Sequence, residues 1–192
     1  MKKDLGVQPA VFPMPVLLVA TYGDDGKVDV MNVAWGGICG ADKIALNLAT
    51  DRKTLKNIRA KQAFTVSLAD EAHIKEADFF GTASGNTMAD KFERSGLHEV
   101  KSAHVDAPVI QEFPLAMECK LLEIKDCFGE QRVVGQIVNV TADESVLDPA
   151  SGKVDASKLN ALMFDQFQLN YYKVGAIAGK AWHEGKDLMK KA

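Results

Sequence analysis

Four consecutive residues, Asp51-Arg52-Lys53-Thr54, stand directly before a stretch in which Leu55 and Ile58 lie three apart beside Arg59 and Lys61. That spacing predicts a short amphipathic helix. The amides opening a helix lack partners of their own, and a guanidinium fork and a hydroxyl beside them suit a phosphate dianion. A helix capped by Asp51 or Thr54, with two solvated cations, fits the same residues equally well. Further on, Ser84-Gly85 and Asp90-Lys91-Phe92 offer Ser84 and Lys91 as additional donors to one anion, with Phe92 packing inward. Taken separately, they read as surface loop. A third segment, Asn32-Val33-Ala34-Trp35-Gly36-Gly37, ends a predicted strand. Its glycines let a backbone come close to something, and Asn32 is both donor and acceptor. On its own it reads more simply as a bulged strand with Trp35 in the core.

Other chemistries are poorly supported. Residues 36–40 are glycine-rich but lack the G-x-G-x-x-G spacing of a dinucleotide fold. Residues 175–180 imitate a phosphate loop with one residue too few between the glycines, and Ala181 stands where a Mg²⁺-binding hydroxyl belongs. His73, His98, His104 and His183 form no metal-ligand spacing, so no metal site is expected, and they read as solvated or capping side chains. Cys39 has no nucleophile signature and is expected to be a small buried thiol.

These segments need elements to hold them. Residues 16–22 form a β-branched apolar run closed by Gly23-Asp24-Asp25-Gly26, and residues 28–33 resume as the second arm of a hairpin. Alternation predicts strands at Ile44, Leu46 and Leu48 and at Phe64, Val66 and Leu68. Residues 71–97 look helical and looped, with Phe79, Phe80, Met88 and Phe92 as anchors to a sheet. Strands return at residues 115–124 and 132–140 about a turn at Phe128-Gly129-Glu130-Gln131. Leu159, Leu162 and Met163 suit one helical face, and residues 169–174 read as a last strand. Many short strands interrupted by a few helices favour a β-barrel or sandwich over a doubly wound parallel sheet.

Composition agrees. The 192 residues suit one domain, 1–192, and a hydrophobic share of 47% argues against disorder. A net charge of −3 argues against nucleic-acid binding through overall positive charge. Three unclustered cysteines fit reduced thiols in the cytoplasm, and no apolar run approaches a membrane span. Asp4 interrupts the basic start before the apolar stretch 11–22, and Pro9, Pro13 and Pro15 would break a signal-peptide helix.

In order along the chain, these segments resemble the flavin reductase-like, FMN-binding split barrels, especially the flavoredoxin branch. The resemblance runs from about Pro13 to Gly185. It rests on Pro15-Val16, Asn32-Val33-Ala34-Trp35, Arg52-Lys53-Thr54, Asp78-Phe79-Phe80-Gly81, Ser84-Gly85, Asp90-Lys91-Phe92, Ala107-Pro108, Glu118-Cys119, Val134-Gly135 and Gly179-Lys180-Ala181. It implies a mainly β fold, a split β-barrel with a few peripheral helices, assembled as a homodimer with FMN near the interface. Asn32, Val33, Ala34 and Trp35 would line the isoalloxazine ring. Arg52, Lys53, Thr54, Ser84 and Lys91 would hold the phosphate. No side chain is then required as a catalytic nucleophile or acid–base group, because the flavin carries the redox chemistry.

The resemblance implies first an NAD(P)H:flavin oxidoreductase. Many relatives that use nicotinamide carry a His where this chain has Gly129-Glu130-Gln131-Arg132. That departure keeps close behind it a flavoredoxin-type electron carrier with tightly bound FMN and a redox partner protein. A non-catalytic barrel for another small ligand ranks third. Phe164, Phe167, Tyr171 and Tyr172 are expected to close the monomer's core, or to lie at the dimer interface or beside the flavin.

Overall fold

The structure, a computed structural model, describes residues 1–189. Its strands and helices run β1 (Met14–Pro15), β2 (Leu17–Tyr22), β3 (Val28–Val33), β4 (Gly36–Gly40), β5 (Lys43–Ala49), α1 (Lys53–Lys61) and β6 (Ala63–Leu68). Then come α2 (Ile74–Thr82), α3 (Lys91–Ser95), β7 (Glu99–Lys101), β8 (Pro108–Ile110), β9 (Leu115–Cys127), β10 (Glu130–Ala142), β11 (Leu162–Asp165) and β12 (Asn170–Lys173).

Seven strands form one sheet in the order β3-β2-β6-β9-β10-β5-β4. Its two edges, β3 and β4, are consecutive in the chain and joined only by Ala34 and Trp35. A two-residue link between opposite edges forces the sheet to curl until those edges come close. They do not pair with each other, so the barrel is split along this seam. Two bulges in the β9–β10 ladder, at Val134/Gly135 and Ile137/Asn139, supply the bending that lets β10 pair with β5 as well. The hairpin between β9 and β10 turns on Phe128 and Gly129, both at positive φ, which matches the twist of two-residue hairpins. Glu130 and Gln131, expected in that turn, already belong to β10. A second sheet, β1-β11-β12, lies beside the first.

Strand β2 explains why residues 16–22 read as a continuous apolar run. Leu17 and Val19 enter an inner core with Leu46, Leu48, Phe64 and Val66, sealed by Leu55 and Ile58 of α1. Leu18 and Ala20 enter an outer core with Ala77 and Phe80 of α2, Phe92 of α3, and Ile110. Both faces are buried, so no polar alternation survives. The absent side chain of Gly135 makes room for the Phe64 ring, because a Cβ there would overlap it.

Three expectations need correction. Residues 159–163 are not helical: a 3-10 turn at Ala156–Lys158 gives way to β11, and Asn160 at positive φ stops helical winding. Cys39 is exposed on edge strand β4, not buried. Trp35 is half exposed at the seam, not a core residue. Strands β1, β4, β7 and β8 were not foreseen. Among the described residues no helix is long and apolar enough to cross a membrane.

Candidate ligand site at the barrel seam

The seam opens into a cavity of about 470 Å³. Asn32, Ala34 and Trp35 form its seam wall, Asn47 and Ala49 come from β5, and Asp78 and Thr82 from α2. Phe164 and Tyr171 of the second sheet close another side. The amide of Asn47 donates to the carbonyl of Trp35 at 2.8 Å, which fixes the link across the seam. A narrow cleft of about 40 Å³ adjoins the cavity, and Met31, Asn32, Arg52 and Gly81 line both. Lys53, Thr54, Ser84, Gly85 and Lys91 line the cleft alone.

Arg52 sits at the N-cap of α1 in extended backbone, and no side chain caps the helix there. The capped-helix reading of residues 51–54 therefore fails. The first amides of α1 and the Arg52 guanidinium, which has no ion-pair partner among the described residues, remain free for an anion.

Two other donors are already engaged. The buried Thr54 hydroxyl donates to Asp29 Oδ2 at 2.6 Å, tying α1 to β3. Its expected role as a phosphate hydroxyl is thereby reduced to its backbone N–H. The Lys91 Nζ is buried, donates to the Phe80 carbonyl at 3.0 Å, and keeps two further protons. Burial pushes the Lys91 pKa down; Asp29 opposes that shift and Arg52 adds to it. Ser84 Oγ accepts from the Asn86 amide at 3.3 Å, which leaves its own proton to give. Only glycine fits at position 85, where a Cβ would overlap the Asp29 carboxylate.

At the cavity end, Asn32 Nδ2 donates to the Ala77 carbonyl at 3.0 Å, so its side chain braces α2 against β3. Gly81 passes so close that a Cβ would lie 3.3 Å from Asn32 Cβ. Trp35, 53% exposed, stands at the rim. Val33 lies outside: its side chain is buried in the inner core, because the pleat turns it away from the face Asn32 uses. The other residues expected to hold FMN, namely Asn32, Ala34, Trp35, Arg52, Lys53, Thr54, Ser84 and Lys91, all line the cavity or the cleft.

Asn47, Asp78 and Tyr171 were not assigned to the ring site by sequence, although Asp78 was a landmark and Tyr171 a candidate aromatic. The Tyr171 hydroxyl donates to Asp78 Oδ1 at 3.0 Å. Burial and this carboxylate push the Tyr171 phenol up to about 12. A raised folded pKa gives stability that is whole below the phenol's unperturbed pKa of 10.0 and fades as pH rises towards 12. Phenolate absorbance is expected to show two late-titrating tyrosines, Tyr171 and Tyr22, the latter raised by burial and Glu99, of which only Tyr171 moves back towards 10.0 in Asp78→Asn. No change in that variant would mean that the ion–dipole contact is absent in solution.

A family model described as flavin reductase like domain matches residues 10–172. The chain belongs to that family. Flavin reductase-like relatives of known structure share the architecture. Flavoredoxin of Desulfovibrio vulgaris (Miyazaki F) superposes with a TM-score of 0.91 at 37% identity, covering 96% of this chain and 100% of that one. Flavoredoxin from Methanosarcina acetivorans gives 0.89 at 24% identity, covering 98% and 100%. An FMN-binding protein from Thermus thermophilus gives 0.76 at 18%, covering 93% and 100%. The last two establish likeness of fold only.

Proposed function

We propose that the chain binds FMN, with the isoalloxazine ring in the seam cavity and the phosphate in the adjoining cleft, and serves as a redox flavoprotein. The observation that carries this reading is the junction itself. A cavity of about 470 Å³, ordinary for a ring-sized ligand, opens into a cleft bearing Arg52, without an ion-pair partner among the described residues, the uncapped start of α1, Lys53, Ser84 and Lys91. That donor set fits a phosphate ester. FMN when bound supplies hydride or single-electron transfer.

The protein's own tasks are then positional. Asn47 and Asn32 hold the seam wall still through the Asn47–Trp35 and Asn32–Ala77 bonds. Tyr171 and Asp78 neutralise part of each other's polarity beside the ring. Arg52 spans ring cavity and cleft and fixes the ligand's register.

Two functions remain in competition. The family favours an NAD(P)H:flavin oxidoreductase. The whole-length likeness to a flavoredoxin at 37% identity supports an electron carrier that takes electrons from a protein partner. Apoprotein titrated with FMN is expected to turn yellow and to quench Trp35; a colourless protein with unaltered fluorescence would end the flavin reading. Anaerobic assays with NADH and NADPH then divide the two. Multiple turnovers of free flavin mark the reductase. Slow or absent reduction by nicotinamide, with rapid reduction by a protein donor, marks the carrier.

A further inference from the structure

One residue of the cleft has the wrong sign for an anion. Asp29 of β3 lines it together with Arg52, Lys53 and Lys91, and is only 4% exposed. A carboxylate repels a phosphate, so an acid among these donors needs a reason.

Its bonds tie α1 into the barrel. Asp29 Oδ2 accepts from the Thr54 hydroxyl of α1 at 2.6 Å. The Asp29 main-chain carbonyl accepts from the Thr21 hydroxyl of β2 at 3.4 Å, and Thr21 Oγ1 in turn accepts from Asn57 Nδ2 of α1 at 3.0 Å. Thr21, Thr54 and Asn57 are all buried. Helix α1 is thereby held to Asp29 twice, once directly and once through Thr21.

Lys91 supplies the second link. It is the single buried cation among the described residues, and it forms no ion pair there. A buried ammonium without an opposite charge nearby sheds its proton readily. Burial pulls the Lys91 pKa down, Asp29 pulls it up, and Arg52 pulls it down again. The charged groups around it come from several elements. Asp29 belongs to β3, Arg52 and Lys53 to the start of α1, and Asp25 and Lys27 line an adjoining crevice of about 10 Å³. The α2 residues lining the cleft, Phe80 and Gly81, carry no charge. Beside Lys91 itself, Asp90 accepts from Arg94 at 2.9 Å, and Glu93 is exposed. Asp25 is exposed too, which leaves Asp29 as the buried acid of this set. Among the described residues lining the cleft, three cations against one acid leave two positive charges. A phosphate monoester carries the matching two negative charges above its second ionisation at about 6.

We propose that Asp29 is the positioning residue of the phosphate cleft, the counter-charge that lets Lys91 meet the ligand as an ammonium and the anchor that holds α1 at the cleft. The inference deepens the proposed phosphate site and rests on it. Direct repulsion of the ligand is the smaller effect, because Thr54 occupies Oδ2 and the Gly85 backbone lies against Oδ1.

Asp29→Asn removes the charge and keeps an oxygen for Thr54. FMN affinity is read as its ratio to riboflavin affinity, so that ring contacts and folding cancel. An ammonium that binds phosphate is lost as pH rises through its pKa, and Asp29→Asn lowers that pKa. The ratio should therefore fall at lower pH in Asp29→Asn than in the wild type, with a deficit of about tenfold in alkaline solution for each unit of displaced ionisation. In a Lys91→Met background the sign should reverse: Asp29→Asn then only removes a repulsive charge, and FMN should tighten. Tighter FMN binding in both backgrounds overturns the proposal, because Asp29 would merely repel the ligand. A loss at every pH shared by riboflavin overturns it too, reducing Asp29 to scaffold. Should Asp29→Asn fail to fold, the wild type is compared with Lys91→Met: its ratio should fall in alkaline solution while that of Lys91→Met stays flatter, and equal slopes overturn the ammonium's role. Inorganic phosphate, titrated by calorimetry, repeats the series without flavin. Phosphate binding with the expected dependence on Asp29, but no flavin binding, removes the flavin reading and leaves the role of Asp29 standing. Flavin binding whose pH profile ignores Asp29→Asn does the reverse.

Discussion

Replacing Arg52 with alanine is expected to weaken FMN binding about ten- to a hundredfold while scarcely affecting riboflavin. A charge-assisted hydrogen bond contributes about 1.5–3 kcal/mol, and each 1.4 kcal/mol is about a factor of ten in affinity. Arg52 is exposed, occupies unstrained extended backbone and caps nothing with its side chain, so its loss leaves the fold intact. Riboflavin lacks the phosphate and keeps every ring contact. Fluorescence titrations of the apoprotein with both ligands give the answer. Equal losses would assign Arg52 to holding the loop. Lys91→Ala should behave otherwise: it also orphans the Phe80 carbonyl and removes the ammonium above the Phe80 ring. Both ligands should then weaken together with the stability of α2.

The second large effect concerns the inner core. Phe64 is fully buried, and its ring fills the space that Gly135 leaves open. Phe64→Ala should cost about 3–5 kcal/mol, the transfer of the ring plus the void it leaves. Gly135→Ala should cost about 1–3 kcal/mol for the opposite reason, because its methyl presses on the ring and on Cys119. A pair of such defects need not add. Phe64→Leu placed in the Gly135→Ala background should recover part of the loss, since the smaller side chain frees the room the methyl needs. Denaturant unfolding of Phe64→Leu, Gly135→Ala and their double variant measures this; strict additivity would show that the two positions do not share one space.

The sequence revealed most of what alternates and little of what meets. Strands β2, β3, β5, β6, β9 and β10 were legible because their apolar residues keep a period or form an unbroken run. Strand β4 was hidden by its three glycines, which carry no pattern. Strand β11 looked helical because Leu159, Leu162 and Met163 are spaced for one face, while the residue that refuses the helix, Asn160, does so through a backbone angle. At the site, Arg52 and Lys53 were readable as cations before a helix. That Thr54 is already taken by Asp29, and Lys91 by Phe80, depends on partners 25 and 11 residues away in the chain. Val33 was included for its company, although its place in the pleat turns it inward. Asn47 offered no local signal, because its value comes from the curl that brings β5 to Trp35.

Strand β2 also governs how the molecule comes apart. Its odd residues belong to one core and its even residues to another, and its backbone pairs with β3 on one side and β6 on the other. Neither core can open without stripping contacts from a strand that the other still needs. The two therefore melt as one cooperative unit, with no stable half-folded form.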